Sequence, residues 1–579
     1  MRRVDGFVLP LTLMLMVAIT LLVLTTTVLS LSDHANARND RSAAHAELVA
    51  KAGYHRYKTT AFQSFRYYQE YPERYATEAA RYAQCGNLMA IGLDLDRDGT
   101  FGGADLWSEN RSLSEPLQVG DVAGTYTVSY SVIGPDIVLR SVGEAAGGRA
   151  TVQGVLRGQN ASTLSNALFA GRGQAGAHIN GGVDVYGSVY VEGSGHDDTV
   201  IDANGNFQQH NNYTKAQLAT LTGLAEAELQ LFLKTQALEQ KDLCSQLRVK
   251  QGKIKVGGNT TVGAATSPNS EFEGRLAGVH VGSSAPYDVN TAVQVTGSAV
   301  IHSQTSPGPF DLDPAPEFPL LDGYNVDMDE LPANVQNALV GTVPSWRQSM
   351  RTDAALNGML IQGTGVAPHP PSGCDLNSVL DSGKVTLTFG ATSITCLVGA
   401  PQRGFKYTYD AALDAGVLEI RGMLDLQGLN LVFQKNVVVR YEGKASMLVE
   451  RVGGKGGNVT IAGDVLPYRS FPDRDVLGIM AEDNLTITGD SQQEDLGSLT
   501  KTQVVMGMFY AQQKIAIAKS AVMMGTMLGN QIDASTGSGG GGKAKMIQVP
   551  GLEYNLPPGF ASLNNTSNPT FAVYSYERK

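Results

Sequence analysis

The sequence predicts an α+β module, made of a long N-terminal helix and a small antiparallel sheet, with a large inserted all-β solenoid domain. Three observations predict this fold class. An apolar run from Phe7 to Leu31 leads directly into an amphipathic helical pattern. Strand-like alternation follows Cys85 and returns at the C-terminus. Between these regions, short strands punctuated by Gly or Asn recur, as in repeat architectures.

The apolar run predicts a membrane anchor that is kept. A signal-peptide core usually spans ~7–15 residues, and this run is longer. At ~1.5 Å per helical residue it is long enough to cross a ~30 Å hydrocarbon layer. Arg2 and Arg3 precede it, which places its start on the cytoplasmic side, and no small-x-small cleavage site closes it. We assign 7–32 to the membrane; an ordinary signal anchor is the alternative.

Residues 33–84 are predicted to continue as a helical stalk. An apolar stripe runs along it, and charged residues cover the other faces. Pro72 is predicted to break the helix, with a further helical piece reaching about Ala83. The residues of the stripe are Ala44, Leu48, Ala52, Tyr54 and Tyr57.

The segment 85–165 is predicted to form the small sheet, from strands in GTYTVSYSVIG, DIVLRSVG and RATVQGVLRG. We expect 546–579 to return to this sheet and to supply its last strand from TFAVYSYERK.

The solenoid is predicted to span 166–545, although its irregular period leaves a β-sandwich open. A helical interruption at 213–243 is expected to cap one end of the stack, and Thr214 and Gln217 fit a capping box. Another helix is predicted after Pro344. The tract Ser535–Lys543 is interpreted as a linker rather than a phosphate-binding loop, because no strand leads into it and Pro550 follows.

The first residues resemble the class III signal of type IV pilins and type II secretion pseudopilins: a basic six-residue leader ending in Gly6, then Phe7 and an apolar helix. In that family a membrane peptidase cuts after the Gly and the new N-terminus is methylated. The resemblance therefore implies processing between Gly6 and Phe7. Most members carry Glu at the fifth mature position, where this chain has Leu11; in the family, its absence marks a subunit that caps the fibre.

The predicted architecture as a whole resembles the competence-associated minor pilins. That resemblance implies a subunit held by a single span in the inner membrane, then displayed outside the cell at or near a pilus tip. It implies other pilins and the prepilin peptidase as partners. Because such pilins are linked to DNA uptake, it also implies double-stranded DNA as a ligand during natural transformation.

The composition limits where DNA can bind. The chain has 66 Gly and only 17% charged residues, which is typical of β-rich repeat proteins. Its formal charge is −11, so contact with nucleic acid requires a local basic patch.

The sharpest local motif is DLDRDGTFGGAD, which follows the EF-hand pattern of calcium ligands. Carboxylates fall at loop positions one, three, five and twelve, and the seventh residue offers its carbonyl. We expect a structural Ca²⁺ site in an EF-hand-like loop; the alternative is an acidic turn that binds nothing. The ligands would be Asp94, Asp96, Asp98, Thr100 and Asp105.

Two basic clusters are candidate DNA contacts. In QLRVKQGKIKV, cations alternate with apolar residues, so two strands could present a row of positive charge to phosphates. The alternative is a solvated strand face. In the second cluster, an aromatic residue lies beside two arginines that share one helical face. The aromatic ring could stack on a base; the alternative is that it packs in the core. The residues are Arg248, Lys250, Lys253 and Lys255, then Trp346, Arg347 and Arg351.

The four cysteines predict disulfides in an exported chain, and three pairings are formally possible. Cys374 and Cys396 flank a predicted short hairpin that would bring them together. Pairing of Cys85 with Cys244 would then follow by elimination.

No compact catalytic motif is evident, so we predict a protein that is not an enzyme. An adhesin that grips a glycan or another cell is the first alternative to DNA capture. A solenoid polysaccharide lyase or hydrolase is the second, and it would need clustered acids across stacked turns.

Overall fold

The computed structural model describes part of the chain, in the ranges given next. These are 8–70, 112–120, 122–133, 136–157, 163–174, 182–204, 207–233, 235–265, 270–282, 292–303, 310–311, 316–363, 385–489, 502–536 and 543–560, with the single residues Ile179, Cys374, Leu376, Leu380 and Leu563. The chain divides into two compact units, with a boundary between Gln159 and Asn160. One unit holds a long helix and a small antiparallel sheet, and the other a large all-β domain, which confirms the predicted fold class.

Helix α1 of the first unit runs without interruption from Val8 to Glu70. Among the described residues it is the one helix long and apolar enough to cross a membrane, with a mean hydropathy of 2.3 in its most apolar window. The hydroxyls of Thr25, Thr26 and Thr27 donate to carbonyls one turn earlier, which satisfies these polar groups in an apolar setting. The predicted break at Pro72, the later helical piece and the leader with Gly6 and Phe7 lie outside the described residues.

Four strands form the sheet of the first unit as an antiparallel meander. They are β1 (Ser112–Val119), β2 (Val122–Ile133), β3 (Asp136–Ala145) and β4 (Gly148–Arg157), of which β1 was not predicted. Helix α1 packs on this sheet at close range. A Cβ at Gly143 would lie 2.3 Å from the carbonyl oxygen of Ala46, so only glycine fits there. The predicted last strand, 570–579, lies outside the described residues.

The buried face of α1 differs in part from the predicted stripe. Tyr54 and Tyr57 are buried as predicted, but Ala44 is exposed and Leu48 is 42% exposed. The sheet instead takes Ala46 and Ala50, because their small side chains allow the helix backbone to approach the strands.

The second unit consists mainly of short strands, with two long ones, β31 and β32, near its C-terminal end. Its N-terminal half has β5 (Leu168–Ala170), β6 (Val183–Tyr186), β7 (Val189–Val191), β8 (Thr199–Asn204), β9 (Gln208–His210), β10 (Gln246–Val249), β11 (Lys253–Gly257), β12 (Thr261–Val262), β13 (Gly278–Val281), β14 (Val293–Val295), β15 (Val300–Ile301) and β16 (Phe310–Asp311). Its C-terminal half has β17 (Met359–Gln362), β18 (Thr386–Phe389), β19 (Ile394–Val398), β20 (Arg403–Asp410), β21 (Ala415–Arg421), β22 (Met423–Gln427), β23 (Asn430–Phe433), β24 (Val438–Glu442), β25 (Lys444–Val452), β26 (Lys455–Gly456), β27 (Val459–Ile461), β28 (Asp464–Pro467), β29 (Val476–Ala481), β30 (Asn484–Ile487), β31 (Gln503–Ala518), β32 (Ala521–Thr536) and β33 (Ala544–Ile547). The helices are α2 (Lys215–Thr222), α3 (Glu226–Phe232), α4 (Thr235–Leu238), α5 (Ala333–Leu339) and α6 (Trp346–Asn357).

Most of these strands pair in parallel with strands of the next coil, which is the pairing expected of a solenoid. We call β5–β33 the coil stack. Ladder A runs β17, β22, β25, β29, β31, β32, β5, β7, β10, β13, β16. Ladder B runs β18, β23, β27, β30, β31, β32. Ladder C runs β21, β24, β28, β31, β32, β33, β6, β9, β12, β15, and β8, β11 and β14 form a separate three-stranded sheet.

The order of the coils differs from the order of the chain. The last long strand, β32, pairs with the first strand of the stack, β5, so the C-terminal half precedes the N-terminal half along the ladders. The first and last strands of the unit, β5 and β33, therefore both pair with β32 in the middle of the stack. This arrangement suits an insertion, because a domain whose ends lie close together can be placed within another fold.

A second apolar layer covers the outside of ladder A. The return segment (316–357) connects the two halves and packs there, separate from the core inside the coils. The Phe318 ring stacks on Tyr510 with centroids 5.4 Å apart. The hydroxyls of Tyr190 and Tyr510 donate to the carbonyls of Pro316 and Pro319, at 2.6 and 2.7 Å.

The helical interruption at 213–243 does not cap an end of the stack. The Thr214 capping box is present as predicted. However, Phe471 donates its backbone N–H to the carbonyl of Phe232, and Arg440 binds Glu228, so these helices lie along the flank. These helices cover an apolar side of the middle coils instead of an end of the stack.

The structure also differs from the predictions for the β18–β19 hairpin and for the segment after residue 545. Strands β18 and β19 do not form a hairpin: β18 joins ladder B, and β19 pairs antiparallel with β20. The segment after 545 does not leave the stack at once, because β33 ends at Ile547 and Phe560 and Leu563 are buried in the outer apolar layer.

Candidate nucleic-acid interface

The structure buries the first of the predicted DNA contacts. Only 4% of Arg248 is exposed, and its guanidinium lies 5.8 Å from the centroid of the Tyr190 ring. It also donates a hydrogen bond to Asn166 Oδ1. Burial lowers the pKa of Arg248 to about 10, with Tyr190 acting in the opposite direction. The prediction of an exposed DNA contact is therefore wrong for Arg248.

The other three cations of the predicted stripe do not form one row. Lys250 follows β10 in ladder A, whereas Lys253 and Lys255 lie on β11 in the separate three-stranded sheet. Each also faces an acid. Lys250 Nζ lies 3.2 Å from Glu317, Lys253 Nζ lies 2.8 Å from Asp197, and Lys255 is in register with Asp202 on β8. The predicted continuous positive face is therefore wrong.

Trp346 is a packing residue. It is fully buried, and its indole Nε1–H donates to the carbonyl of Gly559 at 2.7 Å. Its ring meets Tyr510 edge-on with centroids 4.8 Å apart. No face of the ring is left for a base, so the predicted stacking role is wrong and the packing alternative is right.

Arg347 and Arg351 do share a face of α6, but that face points at acids of the coil stack. Arg347 donates to Asp322 at 2.7 Å, to Glu450 at 3.0 Å and to Glu482 at 3.2 Å. Burial lowers the pKa of Arg347, but these carboxylates outweigh it and raise the pKa above its ordinary value. Arg351 binds both oxygens of Glu450. The two arginines therefore fasten the return segment to the stack, which corrects their predicted role in binding DNA.

Asp425 lies beside this network and holds a proton at neutral pH. It is 2% exposed, and Gln427 donates to its Oδ2 at 2.8 Å. Burial and the neighbouring Glu450 carboxylate raise the pKa of Asp425 to about 8. Because burial and the nearby Glu450 carboxylate both disfavour a negative charge on Asp425, its neutral form is favoured.

Sequence reasoning missed a lysine cluster on ladder C, made of Lys519, Lys543 and Lys545. Lys543 and Lys545 are partly exposed on either side of buried Ala544, so both point outward from β33, and Lys545 Nζ donates to the carbonyl of Leu221 at 3.3 Å. Lys543 Nζ binds Asp184 Oδ1 at 2.8 Å, and Lys545 is in register with Asp184 on β6. The alternating pattern KAK is the signal that was present in the sequence, next to the glycine tract.

Lys519 joins this cluster from the turn between β31 and β32. The backbone N–H of Ala544 donates to the carbonyl of Gly182, and Lys519 Cε lies 3.8 Å from where a Cβ of Gly182 would be. Burial lowers the pKa of Lys545, and Asp184 acts against this. Two lysines thus lie beside the Asp184 carboxylate, and Lys519 lies near Gly182.

A second exposed group of cations is balanced by acids. Tyr468 is 40% exposed, with the Arg469 guanidinium 5.4 Å from the centroid of its ring. Arg469 lies 3.6 Å from Glu442, and nearby Arg440 binds Glu228 at 3.0 Å. The positive field of this second group is therefore weaker than that of the lysine cluster.

Of the remaining predicted sites, one disulfide lies within the described residues and the others lie outside them. The structure joins Cys374 and Cys396 in a disulfide, as the sequence predicts, and Cys244 is disulfide-bonded as well. The acidic loop from Asp94 to Asp105 and Cys85 lie outside the described residues. Within the part of the chain that the structure describes, no group of three or more His, Cys, Asp or Glu side chains is placed to hold a metal ion.

Comparison with protein-family models and with curated proteins finds no match. Among solved structures, the crystal structure of the competence-associated pilin ComZ from Thermus thermophilus is similar, with a TM-score of 0.60 and 28% sequence identity. The match covers 93% of this chain and 98% of that chain. This chain has the architecture of a ComZ-like type IV pilin.

The ComZ-like architecture accounts for both units. Coverage of almost the whole of both chains includes the inserted β domain, and together with the long apolar N-terminal helix it confirms the resemblance predicted from the sequence. The exposed apolar part of α1 fits a single-pass membrane anchor, as in a pilin that assembles with other pilins.

Proposed function

We propose that this chain is a minor pilin of natural transformation that captures extracellular DNA on its β-solenoid, at or near the tip of a type IV pilus. The observation that carries this proposal is the similarity to a competence-associated pilin over 93% of this chain. The ligand is double-stranded DNA, and the chain binds it without being an enzyme.

The position at the tip is supported by the N-terminal sequence. The prepilin peptidase cuts between Gly6 and Phe7, the new N-terminus is methylated, and Leu11 then occupies the fifth mature position. A subunit without the usual Glu there suits the end of the fibre, because no subunit above it needs that contact.

A structural Ca²⁺ ion belongs to the same proposal. The acidic loop from Asp94 to Asp105 supplies oxygens at the spacing that calcium prefers, and the ion would hold the connection between α1 and β1. Its role is to stabilise the fold and not to bind DNA.

The proposal is tested by DNA binding of the full-length chain in detergent, with labelled duplex DNA over a salt series. We expect micromolar or tighter binding that weakens steeply with salt, since phosphate contacts release counterions. Deleting the gene should lower transformation frequency without abolishing pili. Absence of binding at low salt, with calcium present and the fold intact, would overturn DNA capture.

One observation favours an adhesin as the second candidate. The outer face of ladder B carries an uncharged row in which Asn484 Nδ2 donates to Asn458 Oδ1 at 3.1 Å, and Asn458 N donates to Asn430 Oδ1 at 3.1 Å. Thr460 and Thr486 are in register beside this row. Neutral hydrogen-bonding groups in regular array suit a glycan better than phosphates, so binding to neutral polysaccharides at high salt would favour the adhesin.

A further inference from the structure

The lysine cluster of Lys519, Lys543 and Lys545 has more positive charge than its surroundings balance. Asp184 is the acid beside Lys543 and Lys545, and Lys543 already binds it, while Lys519 lies next to Gly182, two residues before Asp184 in the chain. The local charge is thus positive on a chain whose formal charge is −11. Positive charge kept against the overall sign of a protein indicates an anionic partner.

The cluster is held in a fixed geometry. Strand β33 is paired in parallel on both sides, with β32 at Val522–Met524 and with β6 at Val183–Tyr186. Lys543 and Lys545 are two residues apart on one face, so their Cα atoms are separated by about 6.6 Å. Because the backbone is already ordered, binding does not add the cost of ordering a loop at this site.

The chemistry of the cluster suits phosphate groups of a backbone. Lysine ammonium groups contact phosphates as point charges and do not depend on base sequence. The Tyr186 and His210 rings beneath Asp184 are stacked with centroids 4.3 Å apart and are largely buried, so they are not available for bases. The site therefore contacts the backbone of a duplex rather than unpaired bases.

We propose that Lys519, Lys543 and Lys545 form a binding site for the phosphate backbone of duplex DNA at the middle of the coil stack. This inference rests on the proposed function and deepens it by naming the surface. It replaces the basic stripe of β10 and β11, whose cations are buried or face acids.

The test compares two triple variants of the full-length chain, K519Q/K543Q/K545Q and the control K241Q/K406Q/R421Q. Both remove three positive charges. In the control, Lys241 binds Glu271, Arg421 binds Glu419, and Lys406 is in register with Glu419. Binding of labelled duplex DNA is measured over a salt series. We expect the cluster variant to lose affinity on the order of tenfold or more, and its slope of log K against log salt to fall by about 2 to 3. The control should change neither quantity by a comparable amount.

Different outcomes of this test would contradict the proposed site and the proposed function. Equal losses in both variants would show that net charge alone matters and would overturn the site. Loss on reversing Lys253 and Lys255 to Glu, with the cluster variant unaffected, would move the site to β11 and also overturn it. If the wild-type chain binds no DNA, the proposed function fails first. The single variant K519E guards against unfolding, since it leaves the pair of Lys543 and Asp184 intact, and it should weaken binding at an unchanged Tm.

Discussion

Arg347 and Glu450 are joined by a buried ion pair, with Arg347 Nη1 at 3.0 Å from Glu450 Oε1. The Glu450 side chain is completely buried, and 90% of the Arg347 side chain is buried with it, as its relative exposure of 10% shows. One residue belongs to the return segment and the other to β25, so the pair holds the connection between the two halves against the outside of the stack.

Removing Arg347 should destabilise the second unit strongly. The variant R347M leaves the charge of buried Glu450 with Arg351 as its remaining partner, and breaking a buried pair costs about 3–5 kcal/mol. Because Arg351 stays, we expect a loss of about 3 kcal/mol in the free energy of unfolding, measured by urea denaturation. The control R421M, which breaks the exposed pair with Glu419, should cost less than about 1 kcal/mol. Equal effects would contradict the structural role of the buried pair.

Asp425 should make stability depend on pH. Its pKa is about 8 in the folded chain against 3.8 without burial, so folding takes up a proton between these values. The free energy of unfolding should therefore fall as the pH rises from about 4 to 8, by at most about 1.4 kcal/mol per unit. The variant D425N mimics the neutral acid and should flatten this dependence. The exposed control E239Q should not, and parallel curves for D425N and wild type would refute the assignment.

Trp346 should matter for stability and not for DNA. The variant W346F keeps an aromatic ring beside Tyr510 but leaves the Gly559 carbonyl without its indole donor. Loss of one hydrogen bond costs about 0.5–1.5 kcal/mol, which a shift in Tm would report. DNA affinity measured below the new Tm should equal that of wild type. A fall in affinity without a fall in Tm would restore Trp346 as a DNA contact.

The disulfide should stabilise the end of the stack near β17. Cys374 and Cys396 are 22 residues apart, and closing a loop of this length stabilises by about 3 kcal/mol in the chain-entropy model. The double variant C374A/C396A should lose about this amount in urea denaturation. Reduced wild-type protein should lose at least as much, because Cys244 is disulfide-bonded too. A variant as stable as wild type would contradict this role.

Calcium should stabilise the full-length chain. A site that binds only in the folded state stabilises by about 2.7 kcal/mol at 100 times its Kd, which raises Tm and is reversed by a chelator. The variant D96N/D98N should abolish the shift, and magnesium should not reproduce it, since it requires a tighter octahedral shell. An unchanged wild-type Tm in millimolar calcium would mean that the loop binds nothing.

Several elements follow from local sequence because the forces that form them are local. The apolar run and the amphipathic pattern after it predict a long helix, and α1 is helical from Val8 to Glu70. Alternation predicts β2, β3 and β4, because one face of each strand must meet the helix. The Ser345 cap of α6 and the Thr214 capping box involve residues three apart, so they too can be read from the chain.

The candidate site could not be predicted in this way. Alternation places Arg248 on the face opposite Leu247 and Val249, which is correct. The sequence does not show that Asn166 and Tyr190 occupy the space outside that face. In a coil stack with an outer apolar layer, a side chain that points away from the coil does not necessarily point to solvent.

The sequence by itself determined the anchor, the two-unit architecture and the strand-rich character of the insertion, because periodicity and turn residues act over a few positions. Tertiary structure alone decided which cations are accessible. Pairing of β33 with β6 brings Lys543 and Lys545 to Asp184, about 360 positions away in the chain. Docking of the return segment buries Arg347 against Glu450. Both results depend on contacts between distant segments, whose free energy comes from burying surface that only the folded coils create.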